Sequence, residues 1–180
     1  RKKQYAVSMD EMKKLPIARN CIMGKVHNAR WVLERAVRDH SMQIDVPEVK
    51  AESDTLKRTL KEINKCEDID RLRGLEGEAA STYFRAFDEL ILQQKKDFIF
   101  QGRNKRPPMD NVNALLSFVY TLLANSMASA LEAVGLDPYV GFMHTDRPGR
   151  CSLALDMMEE LRSSFADRFV LTLINKKIVT

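Results

Sequence analysis

One stretch decides the fold class, Asp110-Asn-Val-Asn-Ala-Leu-Leu-Ser-Phe-Val-Tyr-Thr-Leu-Leu-Ala-Asn-Ser-Met-Ala-Ser-Ala-Leu-Glu-Ala-Val-Gly135. Its large apolar side chains recur in steps of three or four, the period of an amphipathic helix; they are Leu115, Val119, Leu122, Leu123, Met127 and Leu131. Asp110 is a good N-cap and Gly135 a good C-terminal stop. The stretch therefore predicts a helix from Asn111 to about Val134.

Helical patterns continue on both sides of this stretch. The preceding residues, 101–110, form the clearest break, because Pro107-Pro108 cannot lie inside a helix. Four other helices are predicted. One runs from near Pro16 to about Asp39, and a short one is capped by Ser53 or Asp54. The remaining two run from Ile69 to Leu92 and from Ser152 to Phe165. The apolar segment 169–174 is compatible with helix or strand. The sequence predicts an all-α fold in which residues 1–180 form a single domain.

Composition sets further limits on the function. The 180 residues carry a net charge of +4, which fits nucleic-acid binding without requiring it. The three cysteines are far apart and form no C-x-x-C pair, so a disulfide framework is not expected and a reducing cytoplasm is the default location. No apolar run reaches the roughly 20 residues of a membrane span, so no membrane partner is expected. The chain begins without Met and is interpreted as a fragment.

Glu76 stands on an otherwise apolar stripe of the helix predicted to begin at Ile69. The members of this stripe are Ile69, Leu72, Glu76, Ala80, Tyr83 and Phe87. A carboxylate that faces a core is costly unless it is paired, hydrogen-bonded or bound to a metal. Gly74 and Gly77 beside it predict that another helix approaches closely. The alternative is a glutamate at the edge of the stripe that pairs with Arg73 or Arg71.

A second candidate cluster comprises His144, Asp156 and Glu159. The histidine lies in a loop, and the two carboxylates are three residues apart on one face of the following predicted helix. Oxygen ligands with one imidazole suit Mg²⁺ or Mn²⁺ better than zinc. The alternative is a structural histidine beside carboxylates that are exposed to solvent.

Five basic residues lie in two loops of the chain. They are Arg103, Lys105 and Arg106 in one loop and Arg147 and Arg150 in the loop of His144. Basic residues beside carboxylates that bind a metal are suited to hold a DNA phosphate backbone. The alternative is that these charges only keep the loops soluble.

Four segments together resemble a known family. They are 72–84 (LRGLEGEAASTYF), 102–123 (GRNKRPPMDNVNALLSFVYTLL), 135–144 (GLDPYVGFMH) and 155–162 (LDMMEELR). The order and content of these segments are similar to those of the CRISPR-associated integrase, the nuclease of spacer acquisition. The similarity covers nearly the whole chain and is greatest to the type I-C branch.

The resemblance implies a helical catalytic C-terminal domain from which the family's N-terminal β domain is absent. It implies that Glu76, His144 and Glu159 bind Mg²⁺ or Mn²⁺, with Asp156 as an adjacent acidic residue of the catalytic site. It further implies a DNA endonuclease and integrase that inserts short fragments of double-stranded DNA into the repeat array by 3′-hydroxyl attack. The family forms a homodimer and assembles with a second small CRISPR adaptation protein. The alternative function is a helical DNA-binding or scaffolding module without chemistry of its own.

Overall fold

The computed structural model describes residues 1–104, 107–145 and 147–180, and within these ranges all regular structure is helical. This confirms the all-α prediction. The α-helices are α1 Lys2–Ser8, α2 Glu11–His40, α3 Val46–Lys65, α4 Ile69–Arg85, α5 Asn111–Ala133, α6 Ser152–Leu161 and α7 Arg168–Asn175. A 3₁₀ turn spans Asp88–Leu90, and a π-helical turn, Arg162–Asp167, joins α6 to α7.

An aspartate caps each of the four longest helices. In each case the carboxylate accepts a hydrogen bond from the backbone N–H three residues later, which satisfies a donor that the first helical turn leaves unpaired. The caps are Asp10 (3.2 Å), Asp45 (2.9 Å), Asp68 (2.6 Å) and Asp110 (2.7 Å). The predicted start of α5 at Asn111 is thereby confirmed.

These caps correct two predicted helix starts. α2 begins at Glu11 rather than near Pro16, because Asp10 is the cap. α3 begins at Val46, so Pro47 lies in its first turn, where its missing N–H costs nothing. The predicted capping role of Ser53 or Asp54 was therefore wrong.

Two predicted helix ends were also too late along the chain. α4 ends at Arg85 rather than Leu92, because the chain turns there and buries Phe87 against other aromatic rings. The Phe87 ring centroid lies 5.5 Å from that of Phe84 and 5.0 Å from that of Phe100. α6 ends at Leu161 and passes into the π-helical turn rather than continuing to 165. The ambiguous segment 169–174 is helical, within α7.

The core is organised around α2, which packs against α3, α4 and α6. Its buried face includes Ile22, Val26 and Leu33. Leu56 of α3 and Leu72 of α4 are also fully buried in the same cluster. Glu76 on α4 and Glu159 on α6 therefore lie beside the central helix α2.

α5 has an unusual surface for a helix of a compact domain. It is long and apolar enough to cross a membrane by length and composition, a property that the sequence pattern did not single out, and only 22% of its most apolar window is buried. Phe118 and Leu122, one turn apart, are 63% and 50% exposed. One such helix is weak support for a membrane span, because helices of soluble proteins meet the same criterion.

Candidate metal centre

The two carboxylates of α6 point inward. Asp156 is fully buried and Glu159 is 2% exposed. They lie one turn apart on the same face of the helix, so both meet the elements packed around α6. The alternative that they are solvent-exposed surface charges was therefore wrong.

Asp156 anchors the loop that leads into His144. Its Oδ2 accepts hydrogen bonds from the backbone N–H groups of Phe142 (2.6 Å) and Met143 (2.9 Å). Its Oδ1 accepts another from the backbone N–H of His144 at 3.0 Å. A Cβ on Gly141 would lie 2.9 Å from Asp156 Oδ2, so a larger residue there would push the loop off the carboxylate.

The same carboxylate orients the His144 ring. His144 Nδ1 lies 2.6 Å from Asp156 Oδ1, and the side chain of the histidine is mostly buried. With Nδ1 donating to Asp156, Nε2 keeps the lone pair that a metal ligand needs. Nε2 has no hydrogen-bond partner among the described residues. Asp156 is thus placed to position an imidazole rather than to touch a substrate.

Glu159 lies between two side-chain cations. Its Oε1 is 3.1 Å from Arg162 Nη2, and its Oε2 is 2.7 Å from Lys25 Nζ. Burial by itself would raise the pKa of Glu159, but the positive charges of Lys25 and Arg162 outweigh it and lower that pKa. His144 lies close enough to lower it further. Glu159 is therefore a buried carboxylate kept in its charged form.

Glu76 occupies the edge of the α4 stripe. Its side chain is 22% exposed, and Oε1 accepts a hydrogen bond from Lys25 Nζ. This agrees with the alternative of a glutamate at the edge of the stripe, but the partner named in that alternative was wrong, because Arg73 donates to the carbonyl of Met143 instead, at 3.1 and 2.7 Å. Arg71 lies 4.0 Å from Glu62 and does not pair with Glu76.

The glycines beside Glu76 do not bring a second helix into contact. A Cβ on Gly74 or Gly77 would meet nothing within 4 Å, so the predicted close approach at these positions was wrong. The close approach lies on α2 instead. A Cβ on Gly24 would lie 2.7 Å from Glu160 Cγ, so glycine at this position allows α2 and α6 to pack tightly beside Lys25.

Lys25 joins the segments that carry the predicted metal ligands. Glu76 from α4 and Glu159 from α6 meet at its ammonium group, and His144 approaches from the loop. Among the described residues, no three acidic, histidine or cysteine side chains are close enough together to hold a metal ion directly. The ammonium group lies between the two glutamates.

The donor atoms nevertheless fit a divalent cation. Two carboxylates and one imidazole form a set of ligands that Mg²⁺ and Mn²⁺ accept. Glu159 Oε2 is buried and has no hydrogen-bond partner among the described residues, since Lys25 Nζ approaches it outside hydrogen-bond geometry. A buried carboxylate oxygen of this kind needs a cation beside it, and in this structure Lys25 is that cation, at 2.7 Å.

A cavity of about 600 Å³ adjoins these residues, and Lys25 and Glu76 are part of its lining. Arg103 lines it too and donates hydrogen bonds to Asn113 Oδ1 (2.6 Å) and Ser117 Oγ (3.1 Å) on α5. The predicted DNA-binding residue Arg103 is therefore brought next to the candidate metal ligands.

Two other predicted DNA-binding residues, Arg147 and Arg150, do not line this cavity. Arg147 is exposed and Arg150 half-buried in the loop after His144, and neither forms an ion pair with a described residue. Lys105 and Arg106 lie outside the described residues. Their predicted role in DNA binding stays a prediction.

The far wall of the cavity contains a polar cluster on the π-helical turn. Asp167 is 1% exposed, and its Oδ1 accepts a hydrogen bond from the Tyr120 hydroxyl at 2.5 Å. Burial raises the pKa of Asp167 to about 6, against the opposing effect of that hydrogen bond. The guanidinium groups of Arg103 and Arg162 lie over the Tyr120 ring, 5.3 and 4.9 Å from its centroid.

The sequence pattern did not single out Lys25, Arg162 or Asp167. Lys25 lies four residues after Cys21 and four before Ala29, both buried, so it stands on the apolar stripe of α2. The rule that identified Glu76 on α4 would have identified it. Arg162 follows Glu159 by three residues, a spacing that places them together on a helix.

The site is that of a helical domain in which two glutamates meet at a buried lysine, beside an oriented imidazole and a cavity lined by arginines. The model of one family, described as CRISPR associated protein Cas1, matches residues 1–180. A "CRISPR-associated endonuclease Cas1 1" of Chlorobaculum tepidum is 48% identical over 176 residues, covering 98% of this chain and 51% of that protein. The chain thus spans about half the length of this curated relative.

Two solved structures share the fold. One, described as "Partial Cas6-RT-Cas1--Cas2 complex", matches with a TM-score of 0.86 and 26% identity, covering 98% of this chain and 50% of that one. The other, described as "Casposase bound to integration product", has a TM-score of 0.81 and 26% identity, with 98% and 47% covered. The chain belongs to the Cas1 family of CRISPR-associated proteins. The type I-C branch stays a prediction.

Proposed function

We propose that this chain is the catalytic helical domain of a metal-dependent DNA endonuclease and integrase of CRISPR adaptation. Family membership supports this, as do the relative named as an endonuclease and the casposase bound to an integration product. One observation carries the proposal: Glu76 and Glu159 meet at Lys25 beside a cavity with arginines, and Asp156, one turn from Glu159, orients His144.

The ligands for Mg²⁺ or Mn²⁺ would be Glu76, Glu159 and His144 through Nε2. Such a cation stabilises charge on a scissile phosphate and activates an attacking hydroxyl. Asp156 keeps the His144 ring in one orientation and its Nδ1 protonated. Arg162 fixes the Glu159 carboxylate through Oε1.

Substrate positioning falls to the basic residues. Arg103 and Arg162 line the cavity, and the Nε–H group of each is buried without a hydrogen-bond partner among the described residues. Since these Nε–H groups are closed off from solvent, we propose that the positive charge of the two guanidinium groups attracts phosphate oxygens of double-stranded DNA to the cavity. Attack by the 3′-hydroxyl of an incoming fragment then forms one phosphodiester and releases another 3′-hydroxyl, while attack by water gives endonuclease activity. DNA binding should weaken steeply with salt.

The proposed partners follow from the family. A structural relative assembles with Cas2, as its description states, and we propose the corresponding small adaptation protein as a partner here. A homodimer of the full-length protein and a location in the cytoplasm are proposed with it.

The proposal is tested by strand transfer of a 3′-hydroxyl DNA fragment into a duplex that contains a CRISPR repeat. The assay uses Mn²⁺ and the full-length protein, with the variants Glu76→Gln, His144→Ala and Glu159→Gln. We expect each variant to fold and to lose activity by at least about 100-fold, because each change removes a ligand of the metal on which transition-state stabilisation depends.

Glu78→Gln, an exposed change on the same helix as Glu76, is the matched control and should retain wild-type activity. Wild-type activity in one of the three variants would overturn the assignment of that ligand. If the wild type bound DNA but neither bound Mn²⁺ nor transferred strands, the scaffolding alternative would replace the enzyme.

A further inference from the structure

Lys25 is the side chain around which the candidate metal centre is built. Its side chain is 12% exposed, against 22% for Glu76 and 3% for Glu159. Its single nitrogen, Nζ, contacts one carboxylate on α4 and a second carboxylate on α6. An ammonium group removed from water in this way must be compensated by nearby negative charge, and here two carboxylates provide it.

The two glutamates in turn depend on a cation. Without one, Glu76 and Glu159 would face each other as like charges at a partly buried position, and their repulsion would oppose the packing of α4 and α6 around α2. Arg162 pairs with Oε1 of Glu159 and acts on Glu76 only at longer range, without an ion pair. Lys25 is therefore the charge that holds α4 and α6 together across α2.

We propose that Lys25 acts as an exchangeable internal cation: its ammonium group holds Glu76 and Glu159 in the metal-free protein, and a divalent metal displaces it. This inference rests on the proposed function, because it requires the two glutamates to be metal ligands. A cation bonded to both carboxylates at the ~2.1 Å typical of Mg²⁺ would overlap the ammonium group that already contacts both.

We expect Glu159 to keep one of its two ion pairs and to exchange the other. Oε1 keeps its ion pair with Arg162, so the carboxylate holds its orientation during the exchange. Oε2, buried and without a hydrogen bond among the described residues, is the atom that changes from Lys25 to the metal. The displaced side chain has room, because Lys25 already lines the cavity of about 600 Å³. Its charge then joins Arg103 and Arg162 in the space proposed for DNA phosphates.

The first test observes the side chain directly by ¹⁵N NMR of the lysine ammonium groups during a Mg²⁺ titration, with Lys25→Arg used to assign the resonance. In EDTA, Lys25 should give a resonance protected from water exchange. Mg²⁺ should abolish that protection over the concentration range in which the His144 ring resonances move. If the His144 resonances move and the Lys25 resonance does not, displacement is wrong while the metal site stands. If neither moves, both the metal site and the displacement are wrong.

The second test measures Mn²⁺ affinity calorimetrically. Lys25→Met should bind Mn²⁺ more tightly than wild type by about tenfold or more, because removing a unit charge near the metal at an effective dielectric of ~20 exceeds the 1.4 kcal/mol that corresponds to tenfold. Its melting temperature in EDTA should fall and should recover more on adding Mn²⁺ than that of the wild type.

Lys25→Arg, which keeps the charge, should not gain affinity and is the matched control. An unchanged or weaker Mn²⁺ affinity in a folded Lys25→Met would show that the ammonium supports the site rather than competing for it. If Lys25→Met does not fold, the NMR titration of the wild type still decides the question.

Discussion

Asp156 and Glu159 lie one turn apart on α6 and are both buried, but the chain surrounds them with different partners. Asp156 accepts hydrogen bonds from three backbone N–H groups and contacts the His144 ring. Among the described residues, the ion-pair partners of Glu159 are two side-chain cations, and one of its oxygens lacks a hydrogen bond. Backbone donors cannot leave without unfolding the loop, whereas a lysine side chain can move. The first carboxylate builds the site and the second remains available to a ligand.

The largest expected effect comes from removing the structural carboxylate. Asp156→Ala should lower the free energy of unfolding by about 4 kcal/mol, because several buried donors lose their acceptor at once. The measurement is urea denaturation in EDTA. Asp156→Asn, which keeps an acceptor oxygen, is the matched control and should lose less. A loss below about 1 kcal/mol in Asp156→Ala would remove the basis for treating Asp156 as the anchor of the loop.

Asp167 is a third buried carboxylate, and it extends the comparison because its pKa is shifted in the opposite direction to that of Glu159. Burial raises the pKa of Asp167 to about 6 from an ordinary value of 3.8, whereas cations lower that of Glu159. Between pH 3.8 and about pH 6, Asp167 keeps its proton in the folded chain and releases it in the unfolded chain. The free energy of unfolding therefore falls as pH rises through this range, and the decrease is complete above about pH 6.

The corresponding variant is Asp167→Asn, which cannot ionise. Its free energy of unfolding relative to wild type should rise by about 2 kcal/mol between pH 4 and pH 7, as measured by urea denaturation. Asp39→Asn is the control, because the pKa of Asp39 is lowered to about 2 by Arg38 and so titrates below this range. A relative stability of Asp167→Asn that does not change with pH would show that Asp167 stays ionised in the fold.

Local signals account for what the sequence predicted about the fold. The α5 boundaries were predictable because Asp110 and Gly135 mark its ends and the apolar period between them is regular. The start of α3 was not predicted, because Ser53 or Asp54 was interpreted as its cap, whereas Asp45 caps it and Pro47 is suited to its first turn. The end of α4 depends on the burial of Phe87 against distant rings, which no local pattern records.

The candidate site was predictable only in part, for a physical reason. Glu76 was identifiable because a charge interrupts an apolar stripe, and His144 because of its spacing to the α6 carboxylates. Their partners were not predictable. Lys25 is separated from Glu76 by 51 residues, and the ion pair between them forms only when α2, α4 and α6 pack together. The different roles of Asp156 and Glu159 likewise depend on which of them the folded loop reaches.

The most direct test of this account is a calorimetric Mn²⁺ titration of the 180-residue chain and of two variants that alter one α6 carboxylate each. We expect the wild type to bind one Mn²⁺ and Glu159→Gln to show no measurable binding, because it removes a charged ligand. Asp156→Asn should still bind, with an affinity reduced by about 10–100-fold, because it removes only the residue that orients His144. Mn²⁺ binding to Glu159→Gln with wild-type affinity would contradict the assignment of the metal centre to Glu159.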